Sequence, residues 1–408
     1  MTTATSMATA PTAASVTTDR NQRFLVLGLC FATIVFDGYD LIVYGSVVPE
    51  LLDYGPWGLT PQRVGNIASL GLAGMLIGAL TVGALTDRIG RRKVLLGCLV
   101  WFSLAMGACA LAPSAGVFAA ARFLAGLGLG GVMPTTVALT VEYAPADRHH
   151  RYNALMFSGY SVGGVLAALM AIWFLEDYGF RFLFALGMLP LVTIVPLAWR
   201  YLPESRQFKA AKKQPLSKAL FTGPKLAASV LFPLASFCGL LLVYGLNTWL
   251  PKIMQKAGYP LTSSLAFLVM LNVGAVIGAL SGSTVADRLG AKVVTAAGFV
   301  VAAAAVLLMS QGLSIGTLYV VVAAAGLGSV GTQILLNGYV ASYYGADHRA
   351  SALGWTLGIG RLGAILGPTV GGWLLASSLG VDWNFYTFAI AATAGAVLVM
   401  CVPKLSAD

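Results

Sequence analysis

Hydrophobic residues in this chain come in long runs, each closed by a short cluster of charged, glycine or proline residues. One set occupies residues 24–50, 64–86, 94–112, 117–142, 152–175 and 182–202. A second set occupies 227–251, 263–286, 292–311, 317–344, 350–377 and 384–403. Each run is long enough to cross a hydrocarbon core of about 30 Å, some with tilt. The pattern therefore predicts an all-α integral membrane protein with twelve transmembrane helices. The one long polar connection, Leu202–Lys225, carries Lys209, Lys212, Lys213, Lys218 and Lys225 and separates the two sets. The expected organisation is a disordered, Thr/Ala/Ser-rich cytoplasmic tail at 1–22, a six-helix bundle at 23–202, and a cytoplasmic linker at 203–226. A second six-helix bundle follows at 227–404, with a short cytoplasmic tail at 405–408. No signal peptide is expected, because the first apolar run is long and no cleavage-site pattern follows it.

The two sets repeat one another. The stretch Gly83-Ala-Leu-Thr-Asp-Arg-Ile-Gly-Arg-Arg-Lys93 returns, weakened, as Ser283-Thr-Val-Ala-Asp-Arg-Leu-Gly-Ala-Lys292. Asp87, Arg88 and Gly90 thus fall on Asp287, Arg288 and Gly290. At the same offset of 200, Gly126-Leu-Gly128 falls on Gly326-Leu-Gly328, and Ala146-Asp-Arg148 on Ala346-Asp-His348. A charged segment duplicated inside an apolar chain predicts two pseudo-symmetric halves, a recurring architecture of secondary transporters.

Composition narrows the class further. Hydrophobic residues make up 58% of the chain and charged residues 10%, with a mean hydropathy of +0.82. Soluble domains carry about 25% charged residues, so this composition excludes one. The 48 glycines suit closely packed membrane helices. A net charge of +10 would fit a nucleic-acid binder, but the basic residues lie in short turns between apolar runs. With both termini cytoplasmic, 19 of the 25 Lys and Arg lie inside, four outside (Arg63, Arg181, Lys252, Lys256) and two within helices. That is a positive-inside bias. Cys30, Cys98, Cys109, Cys238 and Cys401 form no C-x-x-C pair and are expected as thiols without a disulfide or metal role. His149, His150 and His348, the three histidines, all fall in cytoplasmic turns. No intramembrane metal or acid/base site is therefore expected, and an enzyme, a metal and a cofactor are all disfavoured.

Ionisable groups near the bilayer centre cost a few kcal/mol or more and mark function by default. Asp37 and Asp40 lie in Phe36-Asp-Gly-Tyr-Asp-Leu-Ile-Val-Tyr-Gly45. Their i, i+3 spacing puts both carboxylates on one helix face, with Tyr44 on the same stripe. Asp37 lies about 20 Å of rise from the cytoplasmic end of its run. Two close carboxylates in a poorly hydrated place repel, so at least one should bind a proton readily. The alternative is a static pair neutralised by Arg122. Arg122 opens the glycine-rich run Arg122-Phe-Leu-Ala-Gly-Leu-Gly-Leu-Gly-Gly131, and Val322 stands at the equivalent place in the second half. The G-x-G-x-x-G match at Gly126–Gly131 has no preceding strand and is not a dinucleotide site.

Arg361 stands in Gly358-Ile-Gly-Arg-Leu-Gly-Ala-Ile-Leu-Gly-Pro368, and no acid lies in the apolar parts of the second half. An unmatched buried cation predicts an anionic ligand, and a guanidinium fits a carboxylate bidentately. The alternative is that Arg361 pairs across the cavity with Asp37 or Asp40. Glu142, at a cytoplasmic helix end, joins Asp37 and Asp40 as a candidate for proton coupling. With Asp87, Arg88, Arg91 and Arg92 it could also hold the cytoplasmic side shut, together with the second-half copies Asp287 and Arg288. Otherwise these are solvated charges of little individual worth. Tyr244, Asn247, Gln333, Asn337 and Trp355 are uncharged candidates for shaping a site for a ring-bearing substrate. Trp249 is either a further one or an interface anchor.

Two six-helix halves in the same orientation, a basic cytoplasmic linker and the 83–93 segment resemble the major facilitator superfamily over residues of about 22 to 404. The segment matches its G-x-x-x-D-R-x-G-R-R-K signature, and the second copy departs at Ser283 and Ala291. Asp37-Gly-Tyr-Asp40, the Arg122 run, Glu142-Tyr-Ala-Pro and Gly354-Trp-Thr-Leu-Gly-Ile-Gly-Arg361 resemble its aromatic acid/proton symporter branch. Phe36–Gly45 and Val243-Tyr-Gly-Leu-Asn-Thr-Trp-Leu-Pro251 look most like its benzoate transporters. The resemblance implies proton-driven import of benzoate or a close relative across a bacterial inner membrane by alternating access. It assigns Asp37 and Asp40 to coupling, Arg122 and Arg361 to cationic partnership, and Asp87 and Arg88 to gating. It leaves open which arginine holds the substrate. Rival readings are a carrier of another organic anion and a membrane sensor of aromatic acids. Nothing in the chain calls for a partner subunit, so a monomer in the lipid bilayer is expected.

Overall fold

The computed structural model describes residues 20–144, 149–203 and 225–403. Among them there are helices and no strand. The first half contains α1 (Arg20–Asp53), α2 (Pro61–Ile89), α3 (Arg91–Ala110), α4 (Ala115–Tyr143), α5 (His149–Leu186), α6 (Leu189–Val192) and α7 (Ile194–Tyr201). The second half contains α8 (Lys225–Lys256), α9 (Leu261–Leu289), α10 (Ala291–Met309), α11 (Ile315–Gly326), α12 (Thr332–Tyr343), α13 (Gly345–Ala376) and α14 (Asp382–Cys401). The expected terminal tails and the linker fall almost wholly outside the described residues.

Among the described residues, eleven helical segments are long and apolar enough to cross a membrane. The difference from the expected twelve lies at residues 182–202. There α5 bends at Gly179 (φ 74°), and the chain after it is interrupted twice before Tyr201. Pro190 and Pro196 supply the reason, since neither has an N–H to give to the preceding turn. The other eleven predicted runs each form one largely helical span, and this one is a series of short helices. A π-helical segment, Leu327–Gly331, joins α11 to α12 into one span.

The duplicated segment is less of a turn than its charges implied. α2 and α9 run on through Asp87-Arg88 and Asp287-Arg288, and a single glycine makes each corner, Gly90 at φ 92° and Gly290 at φ 88°. Only glycine adopts that backbone without strain. The repeat also extends into packing. A methyl group on Gly74 would collide with the Phe123 carbonyl, and one on Gly274 with the Ala323 carbonyl. Gly78 meets Leu127 as Gly278 meets Leu327, and Gly126 meets Gly71 as Gly326 meets Leu271. Each of these neighbours is itself 200 residues from its counterpart. Glycine at these positions lets the helices touch backbone to backbone, the way lipid-embedded helices gain packing without a hydrophobic drive. The outside of the bundle is apolar instead: Trp101, Trp173, Trp199, Leu80 and Leu111 are all exposed.

Contacts between the two halves run from the middle of the bundle to the end that carries Asp53 and Pro61. Gly45 of α1 lies on the Asn247 carbonyl of α8, and Gly164 of α5 faces the Asn272 amide of α9. Ser69 of α2 shares a hydrogen bond with Thr369 of α13 at 2.7 Å and donates to the Ile365 carbonyl. Gly65 and Gly372 bring the same two helices together at the Pro368 and Pro61 carbonyls. Trp249 of α8 is fully buried there, its indole N–H donating to the Pro368 carbonyl at 2.7 Å. That bond joins two helices of the second half, while the ring edge packs beside Gly65 of α2, so the tryptophan is part of the packed interior and is not an interface anchor.

Candidate functional site

The first-half charges converge on α1. Arg122 donates from Nη1 to Asp40 Oδ1 at 2.7 Å, and both residues are buried. The guanidinium also lies 5.4 Å from the Tyr44 ring centre and 5.6 Å from that of Phe184, an arrangement that favours a cation electrostatically. Tyr44 is fixed in turn by donating to the Val64 carbonyl at 2.7 Å. Removing one partner of such a buried pair costs about 3–5 kcal/mol, because the other charge is left stranded. Asp37, one helical turn earlier, is differently placed. It is fully buried, and neither of its carboxylate oxygens has a hydrogen-bond partner. The charged groups near enough to act on it are Arg361 and Asp40.

Arg361 comes from the opposite half. α13 brings it to the middle of the bundle, where Nη1 touches the Met75 sulfur of α2 at 3.1 Å. Among the described residues it makes no ion pair. Tyr160 of α5 lies beside Asp37, Arg361 and Tyr244. Gln333 reaches the same level of α13 indirectly, donating to Ser236 at 2.9 Å, and Ser236 packs on Gly360. Asn247 turns back to the Val243 carbonyl at 2.8 Å and accepts weakly from Asn272. The structure thus gathers Asp37, Asp40, Arg122, Tyr44, Arg361 and Tyr244, with Gln333 adjacent.

Other candidates stand apart. Trp355 donates to the Ser229 carbonyl at 2.8 Å and packs with the separate cluster that holds Phe232, Tyr339, Tyr343 and Tyr344. Asn337 has a buried, unpartnered Oδ1 on α12, four residues beyond Gln333. Glu142 accepts from Arg91 at 3.1 Å, a bridge between α3 and α4 within one half. Asp287 and Arg288 are exposed and make no ion pair among the described residues. The side chains of Asp87 and Arg88 lie outside the described residues.

Sequence reasoning missed Tyr160, Asn272 and the Ser69–Thr369 contact. Tyr160 had a signal, as the single aromatic inside Ser158-Gly-Tyr-Ser-Val-Gly-Gly164. Ser69 and Thr369 had none, since small hydroxyl residues are common in membrane helices. Chemically, the group offers one matched pair, Asp40–Arg122, and one pair of unmatched opposite charges, Asp37 and Arg361, contributed by different halves. Such a site can take up an anion at Arg361 and a proton at Asp37.

Known proteins bear on this geometry. The family model described as Major Facilitator Superfamily matches residues 29–355 and 272–407. A benzoate transport protein of Acinetobacter baylyi is 37% identical, over 92% of this chain and 89% of its own. A gentisate transporter of Corynebacterium glutamicum is 39% identical, over 91% of this chain and 86% of its own. In fold, the chain is similar to a bacterial homologue of the human lysosomal transporter Spinster, solved in an inward-facing and occupied conformation. The TM-score is 0.77 at 15% identity, covering 94% of this chain and 97% of that one.

Proposed function

The chain belongs to the major facilitator superfamily, a family of transporters, and from that premise we propose that it imports a monocyclic aromatic carboxylate, benzoate or a close relative, together with a proton. The observation that carries this reading is the unmatched couple Asp37 and Arg361 at the meeting of the halves. Kinship with the benzoate and gentisate carriers supports the aromatic class. The ring of Tyr160, close to Arg361 and next to Tyr244, supports it too. An aromatic face and a guanidinium together suit a ring that ends in a carboxylate.

Charge balance gives the coupling. Asp37, Asp40, Arg122 and Arg361, all ionised, sum to zero. A substrate carboxylate arriving alone would leave the buried group net negative, which a low-dielectric interior penalises. A proton on Asp37 restores neutrality and frees Arg361 for the substrate. One proton per carboxylate is therefore the neutral load, and the halves rock only when the load is neutral. Asp40 and Arg122 hold the site's geometry and set the field in which Asp37 gains and loses its proton. The contacts from Gly45 to Gly372 close one face, and their release opens it. The positive-inside bias puts that face outside and both termini in the cytoplasm of a bacterial inner membrane. The two halves, at about 23–202 and 227–404, move as bodies about the linker.

The test is uptake of labelled benzoate into proteoliposomes with an inward pH gradient. Membrane voltage is imposed separately with potassium and valinomycin. The expected result is accumulation driven by the pH gradient and insensitive to voltage, lost in Asp37→Asn. Accumulation that follows voltage would overturn the neutral load. Uptake of aliphatic but not ring-bearing acids would overturn the substrate class.

A further inference from the structure

Two grooves open on the lipid-facing side of the first half, away from the charged group and from the opposite half. One, of about 320 Å³, runs between α2, α3 and α4 along Thr81, Leu85, Ile89 and Leu127. The other, of about 580 Å³, runs between α3 and α7 along Leu104, Val195 and Trp199. Both are bounded by the same three residues, Lys93, Gly97 and Trp101. These stand at i, i+4 and i+8, so a single stripe of α3 forms the ridge between the grooves. The stripe rises about 12 Å, most of one leaflet of a core of about 30 Å.

The ridge is shaped at each position. Trp101 is half exposed, and its indole N–H donates to the Leu124 carbonyl at 2.8 Å, which lays the ring against α4. Gly97 is exposed, and a Cβ there would meet nothing within 4 Å, so the ridge dips to a saddle. Lys93 is exposed at the end nearest the Gly90 corner. Arg92 donates to the Trp199 carbonyl, and the exposed Arg200 follows next in the chain, so further basic groups rim the second groove. Among the described residues no carboxylate lines either groove.

An apolar groove inside a bilayer is filled by acyl chains. Two grooves that share one ridge, with an amine at their common end, match a lipid with two chains and a negatively charged headgroup. We propose that Lys93, Gly97 and Trp101 form a binding site for one anionic phospholipid, its chains straddling the Gly97 saddle and its phosphate held by Lys93. Lysine suits this role, with an apolar stem along the groove and its charge at the headgroup level. One basic group near an anionic headgroup favours binding about fivefold.

The experiment is native mass spectrometry of the whole protein released from nanodiscs of dioleoyl phosphatidylglycerol mixed equally with dioleoyl phosphatidylcholine. The chains are identical, so the headgroup alone distinguishes them. The wild type should retain one phosphatidylglycerol about fivefold over phosphatidylcholine. Lys93→Gln should lose most of that preference, keeping at most what Arg92 and Arg200 at the rim supply, and Gly97→Leu, which fills the saddle, should retain less of either. Both positions are exposed, and unchanged melting temperatures would show that the variants fold. Equal retention of the two lipids by the wild type would overturn the site. So would a headgroup preference left undiminished by Lys93→Gln, or displacement of the lipid by millimolar inorganic phosphate.

Discussion

The two halves share their glycines and differ in their charges. At an offset of 200 residues the helix contacts repeat one for one: Gly74 with Gly274, Gly78 with Gly278 and Gly126 with Gly326. Val43-Tyr44-Gly45 likewise falls on Val243-Tyr244-Gly245. At the same offset Asp37 meets Phe237, Asp40 meets Leu240, Arg122 meets Val322, and Ser161 meets Arg361. The scaffold therefore folds with apolar or small residues at every charged position, because each half supplies the uncharged version of the other. What the scaffold needs is symmetric, and what is asymmetric belongs to the site. The first half keeps a neutralised pair and one spare acid, and the second half supplies one spare base.

The strongest break in that comparison is at Arg361. Arg361→Gln keeps the length and a hydrogen-bond donor but removes the charge. Benzoate uptake should fall about 100-fold, the worth of a charge-assisted bidentate contact, while the melting temperature stays within a few degrees. A loss of folding instead would mean that Arg361 serves the scaffold. Next in size is the buried pair. Asp40→Asn strands Arg122 and should cost about 3–5 kcal/mol of stability, read from chemical unfolding in detergent. The double variant Asp40→Leu with Arg122→Val copies Leu240 and Val322 and should recover most of that loss, yet show no gradient-driven accumulation. Recovery of accumulation along with stability would show that the pair is scaffold only.

How much of this could be read from the sequence follows the same division. The spans, the repeat and the inward charges were legible because each rests on residue type alone. A run of apolar residues, an Asp-Arg-x-Gly echo and an arginine among glycines are visible one position at a time. Partnership was not. Asp37 and Asp40 look alike in sequence, and only the fold shows that Arg122 matches one and leaves the other bare. The break in the sixth run was visible in Pro190 and Pro196, but a hydropathy reading averages over it. Trp249 was ambiguous because an interfacial tryptophan and an inter-helix tie have the same residue type and depth. Glu142 reads equally as a coupling acid and as a member of the charged network at a cytoplasmic helix end, and the structure pairs it with Arg91 of that network.

The glycine contacts give a third test, aimed at the symmetric side. Gly126→Ala and Gly326→Ala each drive a methyl group into a facing carbonyl, of Gly71 and Leu271 respectively. Overpacking of this kind costs about 1–3 kcal/mol. The two variants should be destabilised alike in unfolding, and neither should change the dependence of uptake on the pH gradient. A large difference between them would mean that the π-helical segment after Gly326 absorbs strain that the uninterrupted α4 cannot.

The smallest effect is expected at the seam between the halves, where symmetry no longer protects either side. Ser69 of α2 holds α13 through Thr369 and the Ile365 carbonyl, and the Trp249 ring, fixed to Pro368 within the second half, packs beside Gly65. Ser69→Ala removes a hydroxyl and adds no bulk, so it weakens the closed face by about 1 kcal/mol. That shifts the ratio of open to closed molecules by about fivefold. Spin labels placed on the Asp53 end of α1 and the Ser377 end of α13 would report it as growth of the longer distance. Gly65→Leu should move the same distance further, since its side chain enters the space of the Pro368 carbonyl and the Trp249 ring. If neither variant lengthens that distance, the seam is held elsewhere, and the Gly45 contact with Asn247 becomes the hinge to test.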